Sequence, residues 1–194
     1  VPGRREEQKL ERRERIFRAA MQLFNNAGYD ATTILDIAKS AQVSRGTVFN
    51  YYPYKEALLI EHFASNLYDI RKHLGKRTVL DELYFIFDEL AKFVKVNHHL
   101  VLPLSYELLN PDPERSKKAF MSLPLAEMVY ELLTKAREQG LIRGDFSRER
   151  LSRTIANGFF LTTMQWVAYR QDRSIHEELR KTLQLILEGI VLKQ

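Results

Sequence analysis

Apolar residues recur with helical period along nearly all of this 194-residue chain. Ile16, Ala20, Leu23, Phe24 and Ala27 form the first stripe, and Gly28 follows as a C-terminal stop. Ile34, Ile37, Ala38 and Ala41 then fall at i, i+3, i+4 and i+7, behind Thr33 and Asp36, which match a capping box. Val43 and Val48 resume the pattern after a very short break. Ser44 serves as the N-cap of this segment, and Pro53 forces Tyr52 out of helical geometry at its end. The pattern predicts two short helices joined by a tight turn, with Arg45, Gly46, Asn50 and Tyr51 on the outer face of the second. Such a pair is a helix-turn-helix with its second helix open for reading DNA.

Downstream, the spacing predicts a long helix over about 54–74, with Leu58, Leu59, Phe63, Leu67 and Ile70 inward and Gly75 beyond it. Thr78 and Asp81 cap a helix over 79–96 that is apolar nearly all round, so it belongs at the centre. His98-His99 and Pro103 predict a break before a short helix through Leu109. Asp112-Pro113 opens a helix running to Glu138, which Pro124 kinks or splits. Ser147 and Ser174 cap the last two, over 148–169 and from 175 onward. No strand-period segment occurs. The expected fold is all-α, with about nine helices: an N-terminal three-helix DNA-binding domain over 1–53, and a larger helical effector-binding and dimerisation bundle over 54–194. Residues 4–15 are almost wholly charged and read as a mobile arm entering a solvated first turn, within reach of a minor groove.

Composition narrows the chemistry. There is no cysteine, which excludes disulfides, thiolate metal sites and cysteine nucleophiles. No apolar run approaches the length of a membrane span and no leader-like segment opens the chain, so a soluble cytoplasmic protein without a membrane partner is expected. Net charge is +5, from 30 Lys+Arg against 25 Asp+Glu. Residues 1–55 hold 10 basic and 6 acidic side chains, and residues 56–194 hold 20 and 19, so +4 of the surplus lies beside the helix-turn-helix. That is where a polyanion would dock.

The candidate DNA contacts are Thr33, Ser44, Arg45, Gly46, Thr47, Asn50, Tyr51 and Lys55. Arg45 has the geometry for guanine O6 and N7, and Asn50 suits adenine or a phosphate. Gly46 lets a backbone come close. Thr33, Thr47, Tyr51 and Lys55 suit phosphate. Phe63, Leu67, Phe87, Tyr106, Met121, Phe159, Thr163 and Trp166 are aromatic, flexible or weakly polar residues from different helices, and they are the candidate lining of a small-molecule site. The penultimate helix carries two apolar faces, which calls for a second subunit. Ile155, Gly158, Thr162, Leu183, Ile186, Leu187 and Ile190 are the candidate dimer contacts. No glycine-rich phosphate loop, nucleophile elbow or metal spacing appears, so neither catalysis nor a cofactor is expected.

The N-terminal third also resembles the signature of the tetracycline-repressor (TetR) family, through Thr33, Ile37-Ala38, Ala41, Val43-Ser44, Gly46-Thr47, Phe49, Tyr51-Tyr52 and Lys55-Glu56-Ala57-Leu58. The resemblance implies a ligand-responsive repressor with DNA contacts at the candidate contact residues given above, dimerised through its last two helices on a palindromic double-stranded operator. Three positions depart from the family pattern: Phe49 replaces tyrosine, Gln42 the turn glycine, and Tyr54 a capping residue. A helical enzyme or ligand carrier is the competing reading, and the basic N-terminal third argues against it.

Overall fold

A computed structural model describes residues 3–191, and these form ten helices with no strand beyond one isolated bridge between Ile142 and Val191. They fold as two compact units divided between residues 62 and 63. The division falls inside helix α4 (Glu56–Arg71), later than the 53/54 boundary expected from Pro53. The reason is packing: the first turns of α4 belong to the N-terminal unit, where Arg13 donates to Glu61 at 2.6 Å and the Tyr29 hydroxyl donates to Glu56 at 3.0 Å.

The N-terminal unit is built on α1 (Arg4–Ala27), α2 (Ile34–Ser40) and α3 (Arg45–Tyr51). Residues 4–15, expected as a mobile arm, are instead continuous, exposed α-helix. Their Arg, Lys, Glu and Gln side chains are strong helix formers, and Glu6 and Glu7 sit favourably in the first turn of the macrodipole. From Ile16 onward one face is buried: Ile16, Ala20 and Phe24 are wholly enclosed, as are Ile37 and Ala41 of α2 and its cap, the helix packed against α1. Gln42, in the turn between α2 and α3, adopts φ +53°. A left-handed residue is what the usual glycine supplies without penalty; here the cost for an L side chain is about 1–2 kcal/mol.

In the second unit α5 (Val79–Val96), α8 (Leu125–Glu138), α9 (Arg148–Tyr169) and α10 (Ile175–Glu188) pack as a ring, each against the next. The caps form as the sequence predicts: Thr78, Ser147 and Ser174 each accept from the backbone N–H three residues on. Leu83, Ile86 and Phe87 of α5 are fully enclosed, but Asp81, Lys92 and Lys95 are exposed, so the helix keeps a polar edge and, contrary to expectation, is not apolar nearly all round. Glu82 is its one buried charge. It accepts the backbone N–H groups of Gly75, Lys76 and Arg77 at 2.8–2.9 Å and so anchors the loop before α5.

Two proline predictions resolve differently. Pro124 splits the expected 112–138 helix into α7 (Pro113–Met121) and α8, with the break at 122–124. Pro103, expected to mark a break, instead lies inside α6 (His98–Leu108). Buried Leu100, Val101, Leu104 and Leu108 hold that helix against the bundle, an override of local preference by packing. Glu107, also buried, accepts from Arg115 at 2.6 and 3.1 Å and ties α6 to α7.

Candidate nucleic-acid interface and ligand cavity

The second helix of the helix-turn-helix presents a short, polar and largely unencumbered face. Val48 is its buried anchor, whereas Arg45, Gly46 and Asn50 are exposed. Ser44 accepts from the Thr47 backbone at 3.0 Å and shares a hydrogen bond with its hydroxyl at 2.8 Å, so both hydroxyls are held in the first turn. The Arg45 guanidinium lies 5.3 Å from the centre of the Phe49 ring. Phenylalanine at this position forgoes a hydroxyl but orients the arginine. A β-carbon on Gly46 would meet nothing nearer than the Ser44 hydroxyl at 3.9 Å, and its φ is not positive. The chain's own packing therefore does not require glycine there.

Two predicted phosphate contacts have other employment. Thr33 donates both its hydroxyl, at 2.6 Å, and its backbone N–H, at 3.0 Å, to Asp36, completing the capping box. Those bonds hold the Asp36 carboxyl below its ordinary range and keep a negative charge beside Thr33. Lys55 turns inward: its ammonium donates to the carbonyls of Tyr29 at 2.8 Å and Thr32 at 3.0 Å, and burial lowers its pKa. The sequence shows a lysine at helical spacing; it does not show that two turn carbonyls lie within its reach.

The second unit contains a cavity of about 530 Å3. This is within the range of small-molecule sites. Phe63, Leu67, Met121, Phe159 and Thr163, all named from the sequence, lie on its wall. Three other candidates do not. Phe87 is wholly buried in the core with its ring 5.8 Å from Phe159, Tyr106 is 73% exposed, and Trp166 is buried and donates to the Arg173 carbonyl at 2.7 Å. The remaining wall comes from Leu90, Phe93 and Val94 of α5, Val101, Leu104 and Leu108 of α6, Phe120 of α7, the start of α8, and Ala156 and Phe160 of α9. Periodicity marks these residues as inward; which of them face a void depends on how the helices diverge. Exposed Glu127, Arg153 and Asn157 and buried Thr163 are the polar members of the lining.

Burial divides the seven predicted dimer contacts: four are enclosed, whereas Gly158, Thr162 and Ile186 are half-buried. Ile155, Leu183, Leu187 and Ile190 are at most 5% exposed in their own chain's core. Gly158 packs on α10: a β-carbon there would stand 3.1 Å from the Ile186 side chain and 3.2 Å from that of Thr182. Thr162 shares a 2.9 Å hydrogen bond with Thr182. These seven residues join α9 to α10, or both to the core, within one chain. Of the second apolar face of α9, Phe160 lies on the cavity wall and Val167 packs against the core. Exposed apolar residues on the same two helices are Leu161 at 56% and Leu185 at 72%.

An exposed reading helix in one unit and an apolar-walled cavity in the other define a DNA-binding regulator that takes a small molecule. Residues 16–62 match the bacterial regulatory proteins of the tetR family, and residues 62–189 match the C-terminal domain of TetR/AcrR family transcriptional repressors. The chain belongs to the TetR/AcrR family and is a ligand-responsive transcriptional repressor. FadR of Thermus thermophilus, a TetR family transcriptional repressor solved in complex with lauroyl-CoA, is 47% identical with a TM-score of 0.84, over 94% of this chain and 96% of that one. The fatty acid metabolism regulator protein of Bacillus subtilis (strain 168) is 23% identical over 189 residues, 94% of this chain and 97% of that protein. HbdR, a transcriptional regulator of Aromatoleum sp. (strain CIB), is 47% identical over 49 residues, and the chain spans only 21% of its length. No helix among the described residues is long and apolar enough to cross a membrane.

Proposed function

We propose that this protein is a cytoplasmic homodimeric repressor that holds a palindromic operator and releases it when a fatty acyl-CoA occupies the cavity. The observation that carries the reading is the apolar-walled cavity of about 530 Å3, in a chain 47% identical to a repressor complexed with lauroyl-CoA. A hydrocarbon chain matches such a wall, because each methylene buried there gains about 0.8 kcal/mol. On the DNA side, Arg45 and Asn50 reach base edges and Ser44, Thr47 and Tyr51 serve the phosphates, with Gly46 admitting the backbone. Thr33 and Lys55 shape the module rather than contact DNA.

Two copies would place their recognition helices in successive major grooves. An acyl-CoA preferring one separation of those helices shifts the dimer between DNA-competent and released states by its differential affinity. Helix α4 is the covalent route, since it supplies Phe63 and Leu67 to the cavity wall and runs without a break from the first unit.

The test is selection of bound fragments from the source genome, followed by titration of the enriched site with lauroyl-CoA. A palindrome released by lauroyl-CoA, but not by CoA alone, is expected. Binding indifferent to sequence removes the repressor reading, and a palindrome insensitive to every acyl-CoA removes the ligand assignment.

A further inference from the structure

Among the described residues every helical threonine but one has a hydrogen-bond partner: Thr162 and Thr182 bond each other, and Thr47 bonds Ser44. Thr134 donates its hydroxyl to the carbonyl of Tyr130 and Thr154 to that of Arg150, both at 2.9 Å, one turn back along the helix. This is how a helical threonine ordinarily satisfies itself. Thr163 is 3% exposed and lies on the cavity wall, yet its hydroxyl oxygen is buried with no hydrogen-bond partner. A valine would fill the same space without a stranded polar group. The same cavity wall carries hydrocarbon from Phe63, Leu67, Leu90 and Phe159.

We propose that the Thr163 hydroxyl donates to an oxygen of the bound ligand, fixing how far the acyl group enters the cavity. The inference rests on the acyl reading above and adds the residue that sets the ligand's register. Geometry along α9 supports it. The polar lining residues Arg153 and Asn157 come first, and at 1.5 Å per residue Thr163 lies about 15 Å and about 9 Å further along the axis. A hydrophilic carrier held at Arg153 and Asn157 therefore leads into the cavity past Thr163, with an apolar wall around it. The oxygen is either the thioester carbonyl or one carried on the chain. Both present the same acceptor to the same hydroxyl.

The experiment measures the affinity of the full chain, as wild type, Thr163→Val and Thr163→Ser, for three kinds of CoA compound. They are lauroyl-CoA, its thioether analogue S-dodecyl-CoA, which lacks the carbonyl, and hydroxylauroyl-CoA isomers with the hydroxyl moved along the chain. Thr163→Val should bind the ligand that carries the partner oxygen about tenfold more weakly. Thr163→Ser, which keeps the hydroxyl, should retain most of the affinity. A loss on lauroyl-CoA that is absent on S-dodecyl-CoA identifies the carbonyl. A loss confined to one hydroxylauroyl-CoA isomer identifies a chain oxygen. If Thr163→Val binds every compound as tightly as wild type or tighter, the proposal is overturned. If wild type binds its operator but none of the CoA compounds, the acyl reading itself fails, and the inference with it.

Discussion

The Lys55 ammonium stands 3.9 Å from the centre of the Tyr29 ring and donates to the Tyr29 carbonyl at 2.8 Å. It also bonds the Thr32 carbonyl, so one side chain closes the turn that launches α2. Lys55→Ala takes the lysine donor from the Thr32 and Tyr29 carbonyls, the latter keeping the Thr32 backbone N–H at 3.2 Å, and removes the ring contact. We expect a loss of about 1–3 kcal/mol in stability, read by thermal or denaturant unfolding. A variant as stable as wild type but weakened only toward DNA would return Lys55 to the phosphate role its position in the sequence suggests.

Gly46 poses the opposite case. Nothing in its own chain crowds a β-carbon there, and alanine is the better helix former by up to about 1 kcal/mol. Gly46→Ala should therefore melt at or slightly above the wild-type temperature while operator affinity falls about tenfold or more, because the added methyl meets the sugar-phosphate backbone. Equal DNA affinity in a gel-shift or anisotropy titration would show that the backbone does not approach this turn.

Leu161 and Leu185 flank the seam where Thr162 and Thr182 meet. Both are exposed, so replacing them with glutamate leaves the core of the chain untouched. If their helices form the dimer face, Leu161→Glu with Leu185→Glu should weaken dimerisation at least about a hundredfold, since each buried leucine contributes roughly 1.5–3 kcal/mol. Sedimentation measures this directly. Unchanged dimers would assign the interface to another surface.

Asp88 joins α5 to α10 through Arg180 at 2.7 and 2.8 Å and His176 at 2.9 Å. Burial pushes its carboxyl up, but the Arg180 hydrogen bonds and the charges of Arg180, His176 and Lys92 outweigh this and hold it below the ordinary range. A carboxyl depressed in the folded state stabilises the fold above its unfolded pKa of about 3.9, and that contribution is lost as pH falls through the lower folded value. Asp88→Asn should accordingly lower the melting temperature at neutral pH and flatten its fall below about pH 4. A variant whose acid limb runs parallel to that of wild type would mean the pair contributes nothing at this position.

Most of the architecture is legible without coordinates. Caps at Thr33, Ser44, Thr78, Ser147 and Ser174, stops at Gly28 and Pro53, and the 3.6-residue apolar period fix where helices begin, end and turn inward. These are interactions within a few residues of chain, so local sequence specifies them. The reading helix was legible for the same reason: its exposed side chains are what remains once Val48 is assigned to the core.

Tertiary structure alone decided which inward residue meets a neighbour and which meets a void. Periodicity treats Phe87 and Phe159 alike, yet one fills the core and the other lines the cavity, although their rings lie only 5.8 Å apart. It assigns a second apolar face to α9 but not its partner, and of that face Phe160 lies on the cavity wall. It places Lys55 on a helix without revealing the two carbonyls folded back beneath it. Each distinction depends on long-range distances between elements, and a one-dimensional pattern of polarity carries no information about them.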